Sequence, residues 1–193
     1  MQTLVVVDVQ PSYASFFPTK NYAQKIVWLA NDFDGDVLFL YNGPELGYED
    51  EDTLVNYYIN NGLREDNNFT FVEKSYGWLR YAIDSMYEEG FDEDQIVELF
   101  ALMLEVGANT SQELTTTNWK RWMRKHTWRN IMDHLRDADD MIYVPDVLDN
   151  LRSISDPITL VGGAENECLL EVDLTLRALG KNPKTDTRYV YRS

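Results

Sequence analysis

The chain has 193 residues, 44% hydrophobic and 26% charged, a balance that builds one globular domain with a real core rather than a disordered segment. With 17 Lys and Arg against 33 Asp and Glu, the formal net charge is −16, which opposes nonspecific nucleic-acid binding. No apolar run approaches the roughly 18 residues a membrane span needs, and the one cysteine, Cys168, rules out an internal disulfide and fits a reducing, cytoplasmic setting.

The chain opens with Met-Gln-Thr and no basic segment or cleavage site, so no secretory leader is expected. Thr3-Leu-Val-Val-Val-Asp8 is an apolar, β-branched run without alternation, the pattern of a strand buried on both faces. A loop with Pro11 and Pro18 follows, then a helix over about 21–30 with Tyr22, Ile26 and Leu29 at helical spacing. After the turn at 31–36, Val37-Leu-Phe-Leu-Tyr41 is a second strand; residues 52–60 are helical and Phe69–Lys74 is a third strand. Near the end, Ile158–Val161 is a fourth strand, residues 166–179 a helix closed by Gly180, and Arg188–Tyr191 a last strand. Continuous strands alternating with helices predict a three-layer α/β/α sandwich around a mostly parallel, Rossmann-like sheet.

Residues 77–138 break the alternation. Amphipathic helices are expected over 77–89 and 93–106, split near Gly90 with Asp92 as a cap, followed by a polar linker and a further helix to about Leu135. The reading is one domain over 1–193 with a helical insertion at about 81–138, leaning over the strand ends. Within it, 119–129 holds three of the five tryptophans and five of the 17 basic residues. Because its apolar residues recur at helical spacing, it reads as an amphipathic helix rather than a nucleic-acid patch.

Three chemically capable residues fall at strand or turn ends, where ligands bind in parallel sheets: Asp8, Lys74 and Cys168. Cys168 follows Gly162-Gly-Ala-Glu-Asn-Glu at the mouth of a helix, a setting that favours a thiolate. A carboxylate could take the thiol proton, and an ammonium could lower the thiol pKa. Amides of the glycine turn and of Cys168 could face an oxyanion. Taken singly, each residue also has a plain reading, as a small core thiol, a turn aspartate and a solvated lysine.

Together they resemble the isochorismatase-like cysteine hydrolase superfamily, which includes nicotinamidases and N-carbamoylsarcosine amidohydrolases. The resemblance rests on Val5-Val-Val-Asp8-Val-Gln10 followed by Phe16 or Phe17, on Val72-Glu-Lys74-Ser-Tyr76-Gly-Trp78, and on Gly162-Gly-Ala-Glu-Asn-Glu-Cys168. It implies an Asp8-Lys74-Cys168 triad with Cys168 as nucleophile, Asp8 as proton carrier and Lys74 supporting both. It also implies a cis peptide at Gly163-Ala164 that joins Cys168 in the oxyanion hole, a substrate pocket lined by Gln10, Phe16, Tyr76 and Trp78, and a possible homo-oligomer. Residues 81–138 have no counterpart. Where many members carry Thr-Asp before the cysteine, this chain has Glu165-Asn166; Glu165 and Glu167, if turned inward, would oppose a thiolate.

No cofactor and no metal are expected. Nicotinamidases hold a metal with one Asp and two His, whereas this chain has only His126 and His134, both in the insertion, and Tyr41-Asn-Gly-Pro-Glu45 in the ligand region. Asp32-Phe-Asp34-Gly-Asp36 lacks the glycine and glutamate of a calcium loop, with Val37 and Gly43 in their places. The expected function is a metal-independent cysteine hydrolase cleaving an amide or carbamoyl C–N bond of a small-molecule substrate. The alternative is an inactive relative that binds a metabolite, or a macromolecule through its acidic surface or insertion.

Overall fold

The computed structural model describes residues 1–64, 69–74, 80–88, 90–106 and 145–193. Tyr76, Trp78, His126, His134 and the basic-aromatic segment 119–129 lie outside the described residues.

Five strands, β1 (Gln2–Val7), β2 (Gly35–Asn42), β3 (Phe69–Lys74), β4 (Ile158–Gly162) and β5 (Pro183–Val190), form one sheet in the order β3-β2-β1-β4-β5. Every neighbouring pair is parallel. The central β1 is buried on both faces, with Leu4 to Val7 fully covered, which is why its sequence shows no polar alternation. Successive side chains still alternate between faces. Leu4 and Val6 join Val37, Phe39 and Tyr41 beneath α1 (Tyr22–Asn31) and α2 (Glu51–Asn60), while Val5 and Val7 join Leu38 and Leu40 beneath α5 (Pro145–Ser153) and α6 (Cys168–Ala178).

The expected three-layer parallel α/β/α sandwich is present. Two elements depart from the sequence reading. Helix α5, only nine residues long, buries Val147, Leu148 and Leu151 at helical spacing and lies outside the sequence reading. Strand β5 starts at Pro183 rather than Arg188, and its pairing with β4 shifts register between Leu160 and Gly162.

The described part of the insertion, α3 (Arg80–Glu88) and α4 (Glu93–Val106), packs on the outer side of α6 rather than over the strand ends. Met86, Ile96, Leu99, Phe100 and Met103 meet Leu174 there in a separate apolar cluster. Asp92 caps α4 as expected. Its carboxylate accepts from Gln95 N–H and the Gln95 side chain accepts from Asp92 N–H, each at 2.9 Å, a reciprocal capping box.

The chain lays β2 and β3 on one side of β1 and β4 and β5 on the other. This reversal opens a crevice beyond the carboxyl ends of β1 and β4. Val7 pairs with Leu40 on one side and Gly162 on the other, so the next residue, Asp8, enters that crevice.

Candidate active site

Asp8 leaves β1 with φ of +51°, a left-handed conformation uncommon outside glycine and best tolerated by Asn and Asp. Its N–H donates to Leu40 O at 2.9 Å, so the strand pairing ends and the side chain swings into the crevice. Lys74 is the last residue of β3, with β2 between it and β1. Two strand spacings are about 9.5 Å, a gap that a lysine stem and an aspartate can close together. The Lys74 ammonium lies 2.9 Å from Asp8 Oδ2, with both side chains 1% exposed.

Cys168 is the first residue of α6 and is buried. Its thiol interacts with the Asp8 carboxylate and feels the Lys74 charge. Neither contact to Asp8 is aligned as a full hydrogen bond from a described residue. The structure thus brings together the three residues singled out from the sequence.

The turn between β4 and α6 is built for close approach. Gly162 has φ of +105°, and a Cβ there would sit 2.0 Å from Val7 O; glycine alone fits. The Gly163–Ala164 peptide is cis. Along this turn the amides of Gly163, Glu165, Glu167 and Leu169 donate to Val7 O, Tyr191 O, Ala164 O and Ala164 O. The amides of Ala164 and Cys168 have no acceptor among the described residues. The Gly163 amide is therefore committed to the sheet, while the amides of Ala164 and Cys168, like that of Asn166, stay open among the described residues.

The electrostatics correct one expectation. The helix mouth and Lys74 were expected to favour a thiolate, yet the Cys168 thiol is pushed up. Burial is the largest cause; Lys74 pulls the other way, and Asp8 and Glu171 add to the rise. Asp8 is also raised from its ordinary 3.8, by burial, against the opposing pull of Lys74 and the thiol. Burial disfavours the Lys74 ammonium, but Asp8, Cys168 and Glu171 overcome it and raise its pKa. At rest the site holds an ammonium and a neutral thiol.

Glu165 and Glu167 do not supply the negative charge. Glu165 accepts from Arg192 Nε, and Glu167 accepts from Ser193 Oγ at 2.8 Å, so both turn to the chain's last residues. The inward carboxylate is Glu171, fully buried one helical turn beyond Cys168. Its i+3 spacing was readable as the same helix face, but an acid among Leu169, Leu170 and Val172 gave no hint of its burial.

Two of the expected pocket residues, Gln10 and Phe16, are described. Gln10 is fully buried. Its amide accepts from Asn42 N–H at 3.0 Å and donates to Asn42 O at 3.1 Å and Glu49 Oε2 at 2.8 Å. These bonds clamp the end of β2. Phe16 is 46% exposed at the end of a 3-10 turn. Tyr13 reaches the site, its hydroxyl accepting from Asn42 Nδ2 at 2.8 Å.

Asn42, in register with Lys74, accepts from the Lys74 ammonium through Oδ1 at 3.1 Å. No motif pointed to Asn42; only the strand register could have found it. Among the described residues no three His, Cys, Asp or Glu side chains converge as a metal-ligand set, and no helix is long and apolar enough to cross a membrane.

Fold and site together define a parallel α/β protein with a buried Asp-Lys pair and a thiol at its switch point. No family model, curated protein or solved structure matches the chain.

Proposed function

We propose that the protein is a cysteine hydrolase that cleaves the C–N bond of a small amide or carbamoyl compound, of the isochorismatase-like kind its sequence resembles. The observation that carries this reading is the buried Lys74–Asp8 pair, 2.9 Å apart, beside the Cys168 thiol. Burying an ion pair seldom adds net stability, because desolvation offsets the attraction, so such a pair beside a thiol points to chemistry.

Asp8 takes the thiol proton as Cys168 Sγ attacks the carbonyl carbon. The amides of Ala164 and Cys168 donate to the resulting oxyanion. Asp8 then gives the proton to the leaving nitrogen, the C–N bond breaks, and the acyl group stays on sulfur as a thioester. Water attacks that thioester, releasing a proton to Asp8, which returns it to the departing sulfur. Lys74 remains a cation throughout, holding Asp8 and offsetting the negative charge. Because the resting thiol is neutral, proton transfer and attack are coupled to substrate binding.

The test is release of ammonia from a panel of small primary amides and N-carbamoyl amino acids, with intact mass spectrometry for an acyl group on Cys168. The expected result is turnover and an acyl adduct, both lost in Cys168→Ala. Release undiminished in that variant would sink the reading. The burial that keeps the thiol neutral favours one competitor, a non-catalytic metabolite-binding protein. That reading requires Cys168 in the folded chain to resist iodoacetamide, itself a small amide.

A further inference from the structure

We propose that Tyr191, just past the end of β5, is a positioning residue: it holds the Asp8 backbone against the Gly162–Cys168 turn and so sets how closely base and nucleophile approach. What that approach accomplishes rests on the hydrolase reading above. Tyr191 is 3% exposed and makes three hydrogen bonds, all into the site. Its hydroxyl donates to Asp8 O at 2.8 Å. Its N–H donates to Gly162 O at 3.0 Å, and its carbonyl accepts from Glu165 N–H at 2.9 Å.

These bonds act where the backbone most needs support. A non-glycine residue at φ of +51° persists only where its surroundings hold it. The Asp8 N–H is fixed by Leu40 O, and the Tyr191 hydroxyl fixes the carbonyl on the other side of that strained residue. The phenol also walls the turn, since a Cβ on Gly163 would lie 2.8 Å from the ring. Phe17 and Tyr22 pack edge-on against it, with centroids at 5.3 and 5.8 Å. Burial, then the Asp8 and Cys168 charges, raise the pKa of the phenol and keep it a donor. The next two residues, Arg192 and Ser193, engage Glu165 and Glu167, holding those carboxylates away from the thiol.

Removing the hydroxyl lets the Asp8 peptide relax and carries its carboxylate off the thiol. The charged groups acting on Cys168 are Asp8 from beyond β1, Lys74 from β3 and Glu171 from α6. Of these, Asp8 is the one Tyr191 holds, and it raises the thiol pKa. Tyr191→Phe, which keeps the ring, is therefore expected to move the pH midpoint of Cys168 alkylation by iodoacetamide downward by about half a pH unit. Labelling at about pH 8 is expected to quicken roughly two- to threefold, the direction expected of Asp8→Asn.

Tyr22→Phe is the control. It removes another tyrosine hydroxyl bond of the same cluster, to Tyr189 O at 2.7 Å, and is expected to leave the midpoint unchanged. A midpoint unmoved in Tyr191→Phe, while Asp8→Asn moves it, overturns the positioning role alone. If Asp8→Asn itself leaves the midpoint in place, base and thiol are not coupled, and the hydrolase reading falls with the positioning role.

Discussion

The Asp8 carboxylate works against ionisation of the neighbouring Cys168 thiol. Its negative charge and close contact raise the Cys168 pKa, whereas Lys74 lowers it. Asp8→Asn is therefore expected to speed alkylation of Cys168 while abolishing the proposed hydrolysis; iodoacetamide kinetics and ammonia release measure the two. Slower alkylation in that variant would contradict the assigned charges. Lys74→Met acts with the opposite sign, slowing alkylation at neutral pH. The pH profile follows from the same groups. A base must be charged to accept the thiol proton, and burial raises Asp8 above its ordinary 3.8. The acid limb of kcat/KM is thus expected above that value, and a limb at an ordinary carboxylate pKa would argue against Asp8 as the base.

The turn and helix that present Cys168 are held from two sides. Beneath α6, Leu169, Val172 and Leu176 meet the sheet; above it, Leu174 meets α3 and α4. Leu174 is fully buried, so Leu174→Ala is expected to cost about 2–5 kcal/mol in urea unfolding. A loss below about 1 kcal/mol would mean that α4 does not brace the helix. The Arg177 contacts to Glu93 and Asp94, at 2.6 and 2.7 Å, are partly exposed and tie the same helices more weakly. Arg177→Ala is expected to cost no more than about 1 kcal/mol. In the preceding turn, Gly162→Ala meets both a positive φ and a 2.0 Å clash with Val7 O. It is expected to lower the melting temperature more than Gly47→Ala, where φ is +83° but the space is open.

A net charge of −16 loads the folded chain with self-repulsion. Salt screens such charges over roughly 10 Å at 0.1 M, so sodium chloride is expected to raise the melting temperature. Falling stability with added salt would mean that attractive pairs such as Arg188–Asp186, 2.5 Å apart, dominate instead. The buried Lys74–Asp8 pair, shielded from solvent at 1% exposure, is expected to respond little. Alkylation of Cys168 should therefore depend far less on salt than thermal stability does.

Much of the architecture was legible because it is written in local patterns. Val5-Val-Val and Val37-Leu-Phe-Leu read as buried parallel strands, and a parallel sheet directs strand ends to one crevice. That logic brings Asp8, Lys74 and Cys168 to one crevice from the sequence alone. What stayed hidden depends on distant neighbours. Gln10 grips Asn42 across 32 residues of chain, and Tyr191 reaches Asp8 across 183; no local pattern encodes either bond. The charge state of the thiol depends on distant neighbours in the same way. The sequence showed Lys74, the helix mouth and two adjacent glutamates, whereas burial contributes most, with Asp8 and Glu171 adding to it, because the free energy of a charge is decided by the medium and groups around it in space.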